Sequence, residues 1–148
     1  MTPWDLKGKN ALITGGTRGI GRATVDEFIG LGAMVTVVAR REVDLPKGVR
    51  LILGDITVPQ DRERIVREVQ DQGDRLDVLV NNAGTNIRKP WVEMKAEERD
   101  QVLAANLLGP AELTRTLHPL LKKARSASVV NVASVAGLVD VGSGAAYA

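Results

Sequence analysis

Residues 14–21 read Thr14-Gly15-Gly16-Thr17-Arg18-Gly19-Ile20-Gly21. Ahead of them, Asn10–Thr14 (NALIT) is short and apolar, as a buried strand is. Behind them, Ile20–Ile29 has a helical pattern closed by Gly30 and Gly32. A strand therefore runs through a glycine turn into a helix. Glycines at 15, 19 and 21 allow positive φ and let the backbone come close to a ligand. The helix N-terminus adds free N–H groups and the positive end of a dipole. Together these suit a pyrophosphate. A P-loop would need Lys and Ser/Thr after Gly21, but Arg22-Ala23 stand there, which disfavours nucleoside triphosphate hydrolysis.

Outward from this turn the alternation repeats. Met34–Ala39, Val49–Leu53, Leu76–Val80 and Ser128–Val132 are continuous apolar runs, the pattern of parallel strands covered on both faces. Pro59–Gln70 carries Ile65, Val66 and Val69 on one stripe of a helix. Ala96–Ala124 is a long helical region interrupted near Gly109-Pro110. The spacing predicts an α/β fold with a Rossmann-like, doubly wound parallel sheet in the order 3-2-1-4-5. A ligand crevice is expected at the C-terminal ends of strands 1 and 4, where the order reverses.

The 148 residues are one domain's worth, so a single dinucleotide-binding domain spanning 1–148 is expected. Twenty Lys and Arg against eighteen Asp and Glu leave a formal charge of +2, and the charges are scattered, which argues against nucleic acid as a partner. The absence of cysteine excludes disulfides, thiolate metal sites and Cys nucleophiles, and one histidine, His118, excludes a His-based metal cluster. No metal site is expected. His118, before Pro119, reads as a helix-end residue. No apolar run reaches the roughly 18 residues of a membrane span, and Met1–Asn10 lacks a signal-peptide pattern, so a cytoplasmic location is expected.

Cofactor choice turns on the end of strand 2, Val38-Ala39-Arg40-Arg41. An acidic residue there would hold the adenosine ribose hydroxyls and repel a 2′-phosphate. A guanidinium can grip that phosphate with two hydrogen bonds. Arg40, with Arg18 from the glycine loop, therefore favours NADP over NAD.

With these motifs in order, the chain resembles the classical short-chain dehydrogenase/reductase family. Thr14 to Gly21 matches its Thr-Gly-x3-Gly-x-Gly motif. Asn81-Asn82-Ala83-Gly84 follows strand 4, Asn106-Leu107-Leu108-Gly109 lies on the long helix, Asn131-Val132-Ala133-Ser134 follows strand 5, and Tyr147 is separated from Ser134 by 12 intervening residues. Asn86–Pro90 is similar to reductases of the tropinone-reductase and sugar-acid dehydrogenase type. The resemblance implies an oxidoreductase acting on a small carbonyl or alcohol, with Tyr147 as general acid/base and Ser134 orienting the carbonyl oxygen. It implies a cofactor-binding set of Gly15, Thr17, Arg18, Gly19, Ile20, Gly21, Arg40, Asp55, Ile56, Asn82, Ala83 and Gly84, and a homo-oligomer whose interface uses the long helix. Asp55 either accepts from the adenine amine or caps the turn that follows it.

The resemblance gives the backbone carbonyl of Asn106 a water in the proton relay. The residue four on is Pro110, which has no N–H, so that carbonyl is denied its usual helical partner. The helix either kinks here or ends and restarts. Trp4 is expected to dock the N-terminus, and Trp91 either to pack or to touch substrate. Arg88 and Lys89 are either solvated or attract an anionic substrate.

The family's Tyr-x3-Lys motif continues beyond Ala148, the last residue given. The domain is thus expected to be incomplete at its C-terminal side. Two function classes stand: part of an NADP-dependent oxidoreductase, or a non-catalytic NADP-binding module.

Overall fold

Five apolar runs form the strands β1 (Asn10–Thr14), β2 (Met34–Ala39), β3 (Arg50–Leu53), β4 (Val78–Asn81) and β5 (Ser128–Asn131) in a computed structural model, which describes residues 5–142 and 144–147. Trp4 lies outside the described residues. All neighbouring strands are parallel, in the predicted order β3-β2-β1-β4-β5. Leu12 at the centre of β1 stands between Thr36 of β2 and Leu79 of β4. The chain order reverses between β1 and β4, which opens a crevice at their C-terminal ends.

The helices are α1 (Gly19–Gly30), α2 (Pro59–Gln72), α3 (Ala96–Leu103) and α4 (Gly109–Lys123). Alternation along the strands divides the core. Leu12, Ile52 and Leu79 pack with Ile65 of α2 and Leu113 and Leu117 of α4, while Ile13, Val37 and Val80 pack with Val25 of α1. Each such aliphatic side chain contributes about 1.5–3 kcal/mol when fully buried. Helix α1 ends as its glycines foretell. Gly32 has φ +86°, Ala33 N–H donates to Phe28 O and Gly32 N–H to Ile29 O, the paired bonds of a Schellman turn.

Two expectations need correction. Ser128–Val132 was expected to be covered on both faces, yet all four residues of β5 are exposed, because β5 is an edge strand with no helix lying over it among the described residues. Leu76 was expected to open strand β4, but its N–H donates to Leu120 O of α4, so the strand begins two residues later.

At the N-terminal ends of β1 and β4, Asp77 is buried with a side chain only 2% exposed. Its carboxylate accepts from Asn10 N–H (2.9 Å), Arg75 Nε (3.1 Å) and Lys9 Nζ (3.3 Å). Burial pushes this carboxyl up, but the Asn10 N–H, Arg75 and Lys9 together outweigh it and hold it below its ordinary value. A pKa lowered by folding adds stability above the unfolded value of 3.8 and loses it as pH falls through the folded value. Asp77→Asn should cost about 1–3 kcal/mol at pH 7. Urea unfolding of both proteins from pH 7 down to pH 2 should show that gap closing below about pH 4. A gap that is constant with pH would exclude this role for the charge.

Candidate active site

Thr14 ends β1 fully buried, and its hydroxyl ties the crevice together. Thr14 Oγ1 accepts from the N–H groups of Asn82 and Ala83, both at 3.0 Å. Asn82 Nδ2 donates back to Thr14 O and Gly15 O, both at 3.0 Å. The turn after β1 and the turn after β4 are thus one hydrogen-bonded unit. Asn82 acts here by holding the glycine loop, so its side-chain amide is already committed.

The loop needs its glycines for different reasons. Gly15 and Gly19 have φ of +68° and +56°, the left-handed region that side chains resist. Gly21 does not; a Cβ there would collide with Asn82 Nδ2 and Gly15 O. Helix α1 then begins without a side-chain cap and with no acidic residue in its first turn. Its first N–H groups are left for an anion.

A cleft of about 430 Å³ opens above this loop. Gly15, Thr17, Arg18, Arg40, Asp55, Ile56, Asn82, Ala83 and Gly84 all line it, so nine residues of the predicted binding set meet in one place. Gly19, Ile20 and Gly21 form the first turn of α1 beside it. Arg41 is exposed and does not line it. Val38, Ala39 and Gly54 at the strand ends line it too, as do Thr57, Thr85, Gln101, Ala104 and Ala105, which carry no motif signal in the sequence. A smaller cleft of about 220 Å³ lies at the opposite end of the sheet, lined by Asn10, Met34 and Arg50 at the starts of their strands.

Arg40 is 75% exposed, with Nη1 4.0 Å from Asp55 Oδ2. Asp55 Oδ1 accepts from Thr57 N–H (2.9 Å) and Thr57 Oγ1 (2.8 Å). Of the two readings for Asp55, the turn cap is therefore formed, by one oxygen, and the other oxygen faces the cleft's arginine.

Asn106 lies in a single π-helical segment, Ala104–Leu108, that joins α3 to α4 without a break. The helix neither ends nor restarts at Gly109-Pro110. Pro110 removes one N–H and its ring crowds the carbonyl four residues back, and the wider π turn takes up that conflict. Gly109 N–H donates to Ala104 O, five residues back. The Asn106 side chain closes on the loop after β4, accepting from Thr85 N–H and donating to Thr85 O, both at 2.8 Å.

Ser134 caps the short 3-10 turn Val135–Gly137, accepting from Ala136 N–H at 3.2 Å. Its hydroxyl proton has no acceptor among the described residues. Tyr147 N–H donates to Gly144 O at 3.1 Å. Gly144 in turn leaves room for only 3.1 Å between an added Cβ and Lys89 O, so the segment before Tyr147 rests on the 87–89 loop. Neither Ser134 nor Tyr147 lines the cleft. Lys89 is not a free cation: it pairs with Glu98 at 2.6 Å, and Lys89 with the Lys95 N–H holds the Glu98 carboxyl below its ordinary value. Arg88 and His118 are exposed, and Trp91 is more than half exposed. Among the described residues no cluster of side chains could hold a metal ion, and no helix is long and apolar enough to cross a membrane.

Comparison with known proteins agrees with this geometry. Residues 9–148 match the family model described as short chain dehydrogenase. A tropinone reductase homologue of Arabidopsis thaliana is 41% identical over 97% of this chain and 59% of its own length. Another, described as chloroplastic, is 40% identical over 93% of this chain and 46% of its own length. A solved structure from Sinorhizobium meliloti, described as a short-chain alcohol dehydrogenase, superposes with a TM-score of 0.89 at 25% identity, covering 97% of this chain and 61% of that one. The chain thus spans somewhat more than half the length of the first of these relatives.

Crowding at Gly21 can be tested directly. Gly21→Ala should cost about 1–3 kcal/mol by overpacking and displace Asn82. Gly19→Ala, where an added Cβ meets nothing within 4 Å, should cost only the backbone strain of about 1–2 kcal/mol and leave Asn82 in place. Thermal unfolding and the Asn82 side-chain amide signals in NMR read the two effects; an unmoved Asn82 in Gly21→Ala contradicts the contact.

Proposed function

We propose a function from one premise: this chain belongs to the short-chain dehydrogenase family. Membership implies a nicotinamide cofactor and a small-molecule substrate. The proposal is that the cofactor is NADP, and that the whole protein moves hydride between it and a carbonyl or alcohol.

One observation carries the reading. The uncapped start of α1, Arg18 and Arg40 surround a single cleft at the point where the strand order reverses. The pyrophosphate would lie on the first N–H groups of α1 and the glycine loop. Arg40 and Arg18 would hold the 2′-phosphate, with Ala39 offering no carboxylate to repel it. Asp55 Oδ2 and Ile56 would meet the adenine, and Ala83 and Gly84 would run along the cofactor. When bound, NADP supplies or accepts the hydride. In this reading Ser134 donates its unclaimed hydroxyl proton as a hydrogen bond to the substrate oxygen, and Tyr147 delivers or takes the proton there. Asn106, as the family resemblance has it, would hold a relay water on its carbonyl, which Pro110 cannot engage. The proposal includes a homo-oligomer through the α3–α4 region, where Leu107 and Leu108 are exposed.

Titration should show NADP binding at least tenfold more tightly than NAD, the effect expected of charge-assisted hydrogen bonds to the 2′-phosphate. Ala39→Asp combined with Arg40→Ala should reverse the order. Tighter NAD binding by the unchanged protein would refute the assignment.

The second reading, an NADP-binding module without catalysis, is favoured by the cleft itself, which gathers the cofactor-binding set while neither Ser134 nor Tyr147 lines it. A polypeptide of these 148 residues alone holds Tyr147 on one side only. Misplacement of about 1 Å can cost around a hundredfold in rate. Such a polypeptide should bind NADP yet oxidise NADPH with a ketone panel at least a hundredfold more slowly than a version extended through a Tyr-x3-Lys helix and further strands. Equal turnover would show that nothing beyond Ala148 is needed to position the tyrosine.

A further inference from the structure

Asp61, in the first turn of α2, does not line the cleft and belongs to no motif. Its Oδ2 accepts from Asp55 N–H at 2.7 Å. Its Oδ1 accepts from Arg64 Nη2 at 2.9 Å, and Arg64 is anchored in turn to Glu68 at 3.0 Å. One residue along, Arg62 Nη1 donates to Ile56 O at 2.7 Å. The 54–57 turn, one wall of the cleft, is therefore gripped from behind by α2 at two successive residues.

We propose that Asp61 is a positioning residue for the adenosine end of the cleft, setting the stance of Asp55 through its backbone N–H. The proposal rests on the reading of the cleft as a dinucleotide site. Thr57 occupies Asp55 Oδ1, so only Oδ2 is left to meet a ligand amine. Where that oxygen points follows from the Asp55 backbone, and Asp61 holds that backbone. The Asp55 N–H and then Arg64 keep the Asp61 carboxyl below its ordinary value, so it is ionised and a strong acceptor at neutral pH. The helix dipole at the start of α2 favours the same charge.

The test separates positioning from simple stability. NADP and 2′,5′-ADP are titrated calorimetrically, and reduced nicotinamide mononucleotide by NMR shifts, into the unchanged chain, Asp61→Ala, Asp61→Asn and Asp77→Asn. Asp77 sits at the far end of the sheet and serves as a destabilised control. Asp61→Ala should weaken NADP and 2′,5′-ADP about tenfold, the worth of one charge-assisted hydrogen bond, and leave the mononucleotide unchanged. Asp61→Asn, which keeps an acceptor oxygen, should recover most of the loss. Equal weakening of all three ligands, equal weakening in Asp77→Asn, or no weakening at all would overturn the proposal while leaving the site reading intact. An unchanged chain that binds none of the three ligands would overturn the site reading, and this proposal with it.

Discussion

Everything in the cleft depends on one buried hydroxyl. Thr14 is the last residue of the central strand, and its Oγ1 receives two backbone N–H groups from the turn after β4. Without an acceptor there, both donors would be buried and unpaired at the point where β1 and β4 diverge, at about 1–3 kcal/mol each. With it, the two turns share a geometry, and Asn82 can reach back to Gly15 O. The close approach that forbids a side chain at Gly21 follows from that bond. The exposed start of α1 follows in turn, since the helix must begin directly beyond a turn already fixed on both sides. The uncapped start of α1 is thus built from the sheet outward, by hydrogen bonds made within the chain itself.

The two sides of the sheet are unequally finished. β1 and β4 are buried, and so is β2 beyond its exposed first residue. At the end of β4, Asn81 Nδ2 donates to Thr114 Oγ1 and Asn131 Oδ1, while Asn81 Oδ1 is buried without a partner among the described residues. β5 is bare, and from Ser126 through Val139 no residue is charged. Val129, Val130, Val135, Leu138 and Val139 are all exposed. An edge strand without a charge, a proline or a bulge invites pairing with another strand. Ser134 follows this strand directly, and the Asn81–Asn131 side-chain bond of 2.8 Å ties the strand to β4 just before it. The cleft is walled by the turns after β1, β2, β3 and β4, whereas Ser134 stands beyond the exposed strand β5.

That contrast also explains what could be read in advance. The glycine loop, the strand order and the meeting of Arg18, Arg40 and Asn82 were legible because each is encoded within a few residues: a turn that only glycine can make, a run of β-branched side chains, an arginine where an acid would stand. The exposure of β5 was not legible, since Ser128–Val132 has the composition of a covered strand and burial depends on what lies over it. The π turn was half legible. Pro110 announces that the Asn106 carbonyl loses its partner, but whether a helix kinks, stops or widens depends on neighbours, here Gly109 pressed so near Ile56 O that an added Cβ would lie only 3.1 Å from it. Asp61 left no trace, because a carboxylate in the first turn of a helix is ordinary and its partner, Asp55 N–H, carries no residue identity at all.

The pairing of Arg40 with Asp55 bears on cofactor choice in a way composition does not show. A guanidinium already neutralised by a close, buried carboxylate would make a poor phosphate ligand, because the old pair would have to break at several kcal/mol. At 4.0 Å and with Arg40 three-quarters exposed, this pair is of the kind that contributes little. Thr57 Oγ1 donates to one Asp55 oxygen, and Asp61 accepts from the Asp55 N–H behind it, so the carboxylate has partners besides Arg40. Arg40 lines the cleft with its hydrogen-bonding capacity uncommitted among the described residues. Under the proposed NADP reading, a 2′-phosphate would meet a cation with only a weak partner to give up, and Asp55 Oδ2 would be left for a donor such as an amine.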